Sequence, residues 1–170
     1  MTTAHVGHLL DWLRDAHAME QQAEAMLKDL VTRLEHYPKL RARVEVHLED
    51  ARRQQDMLKG CIERLGSSPS ILKDLMGRVV AFGQSVSGMM ASDEVVKGAM
   101  STYVFTHMEI ASYTILIAAA KAIGDKETQR VCEDILQREI EMAEWLRGYL
   151  PEVTRTYLMR SEHTATTVKR

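Results

Sequence analysis

Acidic residues recur at one interval along this chain: Glu20 and Asp50 stand thirty residues apart, and so do Glu109 and Glu139. Each lies inside a long segment whose apolar residues follow helical steps. Glu20, Glu109 and Glu139 interrupt the apolar stripe, not the wet face. A carboxylate on a buried stripe is costly unless it is paired, protonated or bound to a cation. Four helices that each aim one acid at a common axis would meet that requirement together.

Proline and glycine divide the chain. From about Thr3 to Glu35, the residues Leu9, Leu13, Ala16, Glu20, Ala23, Leu27, Leu30 and Leu34 recur at three- and four-residue steps, which predicts a first helix. Pro38 suits the first turn of a second helix, where a missing N–H costs nothing. Val44, Leu48, Ala51, Leu58, Ile62 and Leu65 carry that helix to a glycine cap at Gly66. Ser67 to Ser70 reads as a loop, and Ile71 to about Met90 as one or two short helices weakened by Gly77, Gly83 and Gly88. Ser92, Asp93 and Glu94 open a third helix that runs through Tyr103, Glu109, Tyr113 and Ile123 to a stop at Gly124. Asp125 can cap a fourth, in which Val131, Ile135, Glu139, Met142, Leu146 and Tyr149 share a face until Pro151.

The expected architecture is therefore all-α, with two antiparallel hairpins over residues 1–150 and a polar tail over 151–170, frayed from Ser161. A crossover of about 25 residues joins the hairpins and lets them pack as a four-helix bundle. Residues equally far from a hairpin turn lie at the same depth. Glu109 and Glu139 each stand fifteen residues from Gly124, and Glu20 and Asp50 agree in depth within about one helical turn. Met19-Glu20 is echoed by Met108-Glu109, as in a degenerate duplication.

A chain of 170 residues with 45% apolar content can bury one sizeable core. Its net charge of −2, with only Val168-Lys169-Arg170 as a basic end, lacks the electrostatic footprint of a nucleic-acid binder. Cys61 and Cys132 follow no metal-finger or CxxC spacing, which points to free thiols in a reducing compartment such as the cytoplasm. His5, His8, Asp11, Arg14 and Asp15 stand where a signal peptide needs an apolar core, and no apolar run is expected to reach the ~20 residues of a membrane span. A soluble protein with no membrane partner is the expectation.

Four strings now stand in order: LLDWLRDAHAMEQQ in the first helix, HLEDARRQ in the second, HMEIASYTIL in the third and LQREIEMAEWL in the fourth. With these strings and their separations, the chain resembles the YciE/YciF family of ferritin-like stress-associated proteins from about Leu9 to Leu146. The resemblance implies a ferritin-like, often dimeric bundle with a site similar to the dimetal centre of rubrerythrins. Carried over by position, Glu20, Glu109 and Glu139 match the family's acids. In the second helix Glu49 and Asp50 compete. His47, Asp50 and Gln54 share the flank beside the apolar stripe, whereas Glu49 points further out, so His47 and Asp50 are preferred as ligands.

The departures bear on function. A dimetal bundle uses Glu-x-x-His on two helices, because side chains at i and i+3 can grip one ion together. Here Arg53 follows Asp50 and Met142 follows Glu139 at that step, while Thr106 and Ala143 stand where relatives carry acids. Fewer ligands imply weaker binding, an incomplete site, or one ion in place of two; Arg53 could also replace a cation by pairing with Glu139 or Asp50. Oxygen-rich ligands with an imidazole suit iron or manganese better than a closed zinc site. Tyr113 is then a candidate hydrogen-bond partner or electron donor, and His17, Gln54 and His107 candidate supports behind the ligands. No catalytic residue is assigned. Two functions are compatible with these residues: a dimetal protein of peroxide or iron redox chemistry, and a metal-free helical stress or scaffold protein. A homodimer is expected from the third helix, where Ile110, Ile115, Leu116 and Ile117 point in several directions.

Overall fold

The computed structural model describes residues 3–66 and 95–168, which form four helices: α1 (Thr3–Thr32), α2 (Pro38–Arg64), α3 (Val95–Ile123) and α4 (Lys126–Val168). The α1–α2 turn closes over the buried side chains of Leu34 and Tyr37, with the Arg33 amide donating to Leu30 O at 2.9 Å and the Tyr37 amide to Leu34 O at 3.0 Å. Pro38 then starts α2 in the helix's first turn. At the α3–α4 turn, Gly124 takes φ 76°, a left-handed backbone that a side chain would strain. Asp125 follows as the cap, its Oδ1 accepting the Thr128 amide at 3.2 Å.

Each helix packs on two neighbours: α1 on α2 and α3, and α4 on α3 and α2. Every neighbouring pair runs antiparallel. Arg52 of α2 donates to Glu24 of α1 at 3.1 Å, and Arg64 at the end of α2 grips Asp125 at the start of α4 at 2.7 Å. Between α1 and α3 the fit is closest at Gly98, where an added Cβ would lie 2.7 Å from Leu30 Cδ1. Gly98 is near the start of α3 and Leu30 near the end of α1, so α2 ends and α3 begins at opposite ends of the bundle. The end of α2 and the start of α3 are thus separated by the length of a 27-residue helix such as α2, about 40 Å. This is the topology expected of the long crossover. The short helices expected around Gly77, Gly83 and Gly88, and the cap at Ser92-Asp93-Glu94, lie outside the described residues.

The core is one apolar cluster in which Leu13, Leu27, Leu40, Leu58, Leu116, Ile135 and Leu146 are almost fully enclosed. Cys61 and Cys132 are free and buried within it, and burial pushes the Cys132 thiol up to about 12. They are packed thiols with little thiolate character.

Two expectations are corrected. The break at Pro151 does not occur: α4 runs through it to Val168, so the segment read as a polar tail frayed from Ser161 is helix as far as Val168. The reason is packing. Leu146, Tyr149 and Val153 keep one inward face, Val153 is fully buried, and Lys39 of α2 reaches both Glu152 at 3.4 Å and the Tyr149 ring at 4.8 Å. Those contacts outweigh the backbone hydrogen bond that proline cannot make. Secondly, α3 is long and apolar enough to cross a membrane by length and composition. In this fold it is a wall of the bundle, and it turns Thr102, Thr106 and Glu109 into the interior, where lipid would leave them unsatisfied.

Pro151→Ala restores a helix-interior hydrogen bond and is expected to stabilise the protein by about 1–3 kcal/mol, read as a higher thermal midpoint. A neutral result would mean that α4 ends at Pro151. Glu24 ties α1 to α2, accepting from Lys28 at 2.6 Å, Gln55 at 2.9 Å and Arg52 at 3.1 Å. Those donors, Lys28 first, hold its carboxyl at about 2 against an ordinary 4.5. A depressed acid stabilises the fold above its unfolded value and loses that contribution as pH falls through the folded one. Glu24→Gln is thus expected to cost about 1 kcal/mol at pH 7, discounted for solvent screening, with the deficit closing as pH drops from 4.5 toward 2. Urea unfolding at both ends of that range checks it.

Candidate metal centre

Midway along the bundle the apolar core is interrupted by six polar side chains from all four helices. Glu20 comes from α1, His47 and Gln54 from α2, Glu109 and Tyr113 from α3, and Glu139 from α4; all are buried. The seven-residue step from His47 to Gln54 and the four-residue step from Glu109 to Tyr113 keep each pair on one helix face. His47, Glu109 and Glu139 each offer one ligand atom, and the three atoms lie within 4.8 Å of one another.

Few hydrogen bonds hold this cluster. The Gln54 amide donates to Glu139 Oε1 at 2.8 Å, and His47 Nε2 stands 3.5 Å from Glu139 Oε2. The Tyr113 hydroxyl donates to Glu20 Oε1 across the α1–α3 interface. Five acceptor oxygens are then left buried with no donor: Glu20 Oε2, Gln54 Oε1, both oxygens of Glu109, and Glu139 Oε2. Among the described residues no Lys or Arg forms an ion pair with Glu20, Glu109 or Glu139.

Such crowding sets the electrostatics. Burial, then the charge of Glu139, pushes the Glu20 carboxyl well above the usual range, with Tyr113's hydrogen bond opposing and Asp50 adding to the rise. Burial, then Glu139 and Glu20, does the same to Glu109. Burial and the neighbouring Glu20 likewise raise the Tyr113 phenol. A cation among these oxygens would supply the counter-charge and the coordination that the protein withholds. Carboxylates with one imidazole are a donor set suited to iron or manganese. The residues present fit such an ion.

Not every residue singled out from sequence reaches the centre. Asp50 lies at its edge, where Arg53 donates to it and Arg138 of α4 approaches within 3.6 Å. The step after Asp50 is thus an exposed arginine that satisfies the acid without metal, and Arg53 takes no part with Glu139. His47, on the same flank, is the α2 residue that turns inward. Glu49 faces solvent and pairs with Arg52. His107 does not stand behind the ligands: it is exposed, with its ring edge-on to Tyr103 at 4.5 Å. A residue two before Glu109 points to the opposite side of the helix. His17 is buried one turn before Glu20, and burial, then the charge of Lys59, lowers its basicity. Its Nδ1 has no hydrogen-bond partner. Met142, one turn after Glu139, is buried and adds only apolar wall. Sequence reasoning missed Arg138; its place beside Glu139 on the flank facing α2 is the signal that could have found it.

A family model described as "Domain of unknown function (DUF892)" matches residues 6–159. A crystal structure of a protein from Xanthomonas campestris pv. campestris is 41% identical over 94% of this chain and 99% of its own, with a TM-score of 0.78. The Escherichia coli stress protein YciF shares the fold at 19% identity and a TM-score of 0.70, over 91% of this chain and 99% of its own. YcfI of Rhodopseudomonas palustris does so at 23% identity and a TM-score of 0.66, over 86% and 94%.

Proposed function

The chain belongs to the DUF892 family, the YciE/YciF-type helical bundles, and from its buried acid cluster we propose that it is a carboxylate metal protein that holds iron or manganese. One observation carries this reading: five buried oxygens have no hydrogen-bond donor, around a point that His47, Glu109 and Glu139 share. His47, Glu109 and Glu139 would hold the metal. When bound, iron or manganese supplies redox capacity for oxygen or peroxide chemistry. The chain's own residues prepare the setting: Gln54 fixes the orientation of Glu139, Tyr113 keeps its hydroxyl proton on the Glu20 side, and the core excludes bulk water. A role in stress accords with the name given to the Escherichia coli neighbour, a stress protein, and for this chain it belongs to the proposal.

A metal-free scaffold is the second reading, favoured by the pairing of Asp50 with Arg53 and Arg138, which neutralises one expected ligand. Thermal unfolding separates the two. Chelator-treated protein, purified without a tag, is expected to gain a higher midpoint on adding manganese(II), or iron(II) without air, and to lose it again with chelator. Glu109→Gln replaces an acid whose burial beside Glu139 and Glu20 disfavours ionisation, so it is expected to stabilise the chelated protein by about 1–3 kcal/mol at neutral pH and to abolish the metal response. A midpoint indifferent to metal in the wild type leaves the scaffold.

The partner is proposed to be a second copy of the chain. Met100, Val104, Ala111, Ile115 and Ala118, with His107 between Val104 and Ala111, form an exposed stripe along α3 that carries no Lys, Arg, Asp or Glu, while Leu116 and Ile117 are buried and Ile110 is half-buried. Apolar side chains alternating with alanines let two copies of α3 approach closely about a two-fold axis. Light scattering at micromolar concentration is expected to give twice the chain mass, and Ile115→Glu to halve it at unchanged helicity. A monomeric wild type overturns the dimer.

A further inference from the structure

We propose that the centre takes one divalent ion per chain, on His47, Glu109 and Glu139, with Glu20 held off that ion by Tyr113. The inference rests on the metal-binding reading above and concerns the number of ions and the part of each acid. Two ions side by side require carboxylates that bridge them and further ligands at both outer ends, which bundles of this architecture provide by a Glu-x-x-His step on two helices. Among the described residues one outer end is built. His47 Nε2 with Glu139 and Glu109 forms it, within a spread of 4.8 Å. That spread is close to the span across one ion with metal–ligand bonds of about 2.1 Å.

The other end is dismantled residue by residue. The step after Glu139 is Met142, buried and without a hard donor atom. The step after Asp50 is Arg53, which pairs with Asp50 and leaves that carboxylate flanked by a second guanidinium from Arg138 at 3.6 Å. A second cation would meet two positive side chains at that edge. Thr106, one turn before Glu109, offers a hydroxyl in place of a carboxylate. Glu20 gives no atom to the group that lies within 4.8 Å, and its Oε1 accepts the hydroxyl of Tyr113, which is fully buried. Turning that Oε1 onto a second ion would strand the hydroxyl without its acceptor, so only Oε2 of Glu20 is left to such an ion. Glu109, with both oxygens unpartnered, and Glu139, with Oε1 on Gln54 and Oε2 unpartnered, carry together the charge that one divalent ion neutralises. Tyr113 is thus a positioning residue: it reserves Glu20 as a hydrogen-bonded carboxyl beside the ion.

The test is manganese(II) stoichiometry on the chelator-treated full chain. Bound metal is measured after gel filtration, and the electron paramagnetic resonance spectrum distinguishes isolated from exchange-coupled ions. One manganese per chain with an isolated-ion spectrum is expected. Glu139→Gln is expected to weaken binding more than a hundredfold, and Glu20→Gln less than tenfold. Two manganese ions per chain with a coupled spectrum would overturn the one-ion centre and leave the metal-binding reading standing. No bound manganese would remove both. A hundredfold loss in Glu20→Gln at unchanged helicity would overturn the part assigned to Glu20.

Discussion

Like charges placed in an apolar interior dominate the energetics of this bundle. Glu20, Glu109 and Glu139 are almost fully buried among leucine, isoleucine and methionine, where water cannot solvate a carboxylate. The neighbours of these acids follow from that one constraint. Tyr113 gives Glu20 a proton to share, Gln54 gives Glu139 an amide, and His47 stands ready on the remaining side. Glu109 has nothing. An arrangement in which the central acid is the least satisfied makes sense as one half of a binding equilibrium, because the missing partner is then a ligand.

Cations are plentiful in the chain, with 22 Lys and Arg against 24 Asp and Glu, so scarcity does not explain their absence from the centre. Geometry does. Long basic side chains reach outward along the helix flanks and keep their charge in water. They bind acids there: Arg64 clamps Asp125 at the bundle's end, Arg52 and Lys28 share Glu24, and Arg53 with Arg138 brackets Asp50. The outer pairs set helix register and hold the ends, while the inner acids are kept from cations of the chain itself.

The same four-helix frame is kept between this chain and a structure only 19% identical to it, because apolar periodicity and two short turns suffice to specify the frame. Chemistry depends on a handful of positions that the frame merely presents. At those positions this chain has Arg53, Met142 and Thr106, so its centre must be understood from its own residues.

The start of α2 at Pro38, the turn at Gly124, the two hairpins and the common depth of the buried acids were legible without coordinates, because a 3.6-residue period and a glycine or proline at each turn leave little freedom. The outward turn of His107 was legible in principle too, since two residues along a helix is more than half a rotation. Other features needed the packed molecule. His47 points inward and Asp50 to the rim although they share a flank, and only the roll of α2 against α4, with Arg138 arriving from α4, separates them. Tyr113 meets Glu20 of α1 because two helices remote in sequence cross there. The helix continues through Pro151 because Val153 gains a core on the far side. Local periodicity determines which residues face inward from each helix; which of them touch is decided by the rotation and depth of helices against one another, and that is a property of the assembled core.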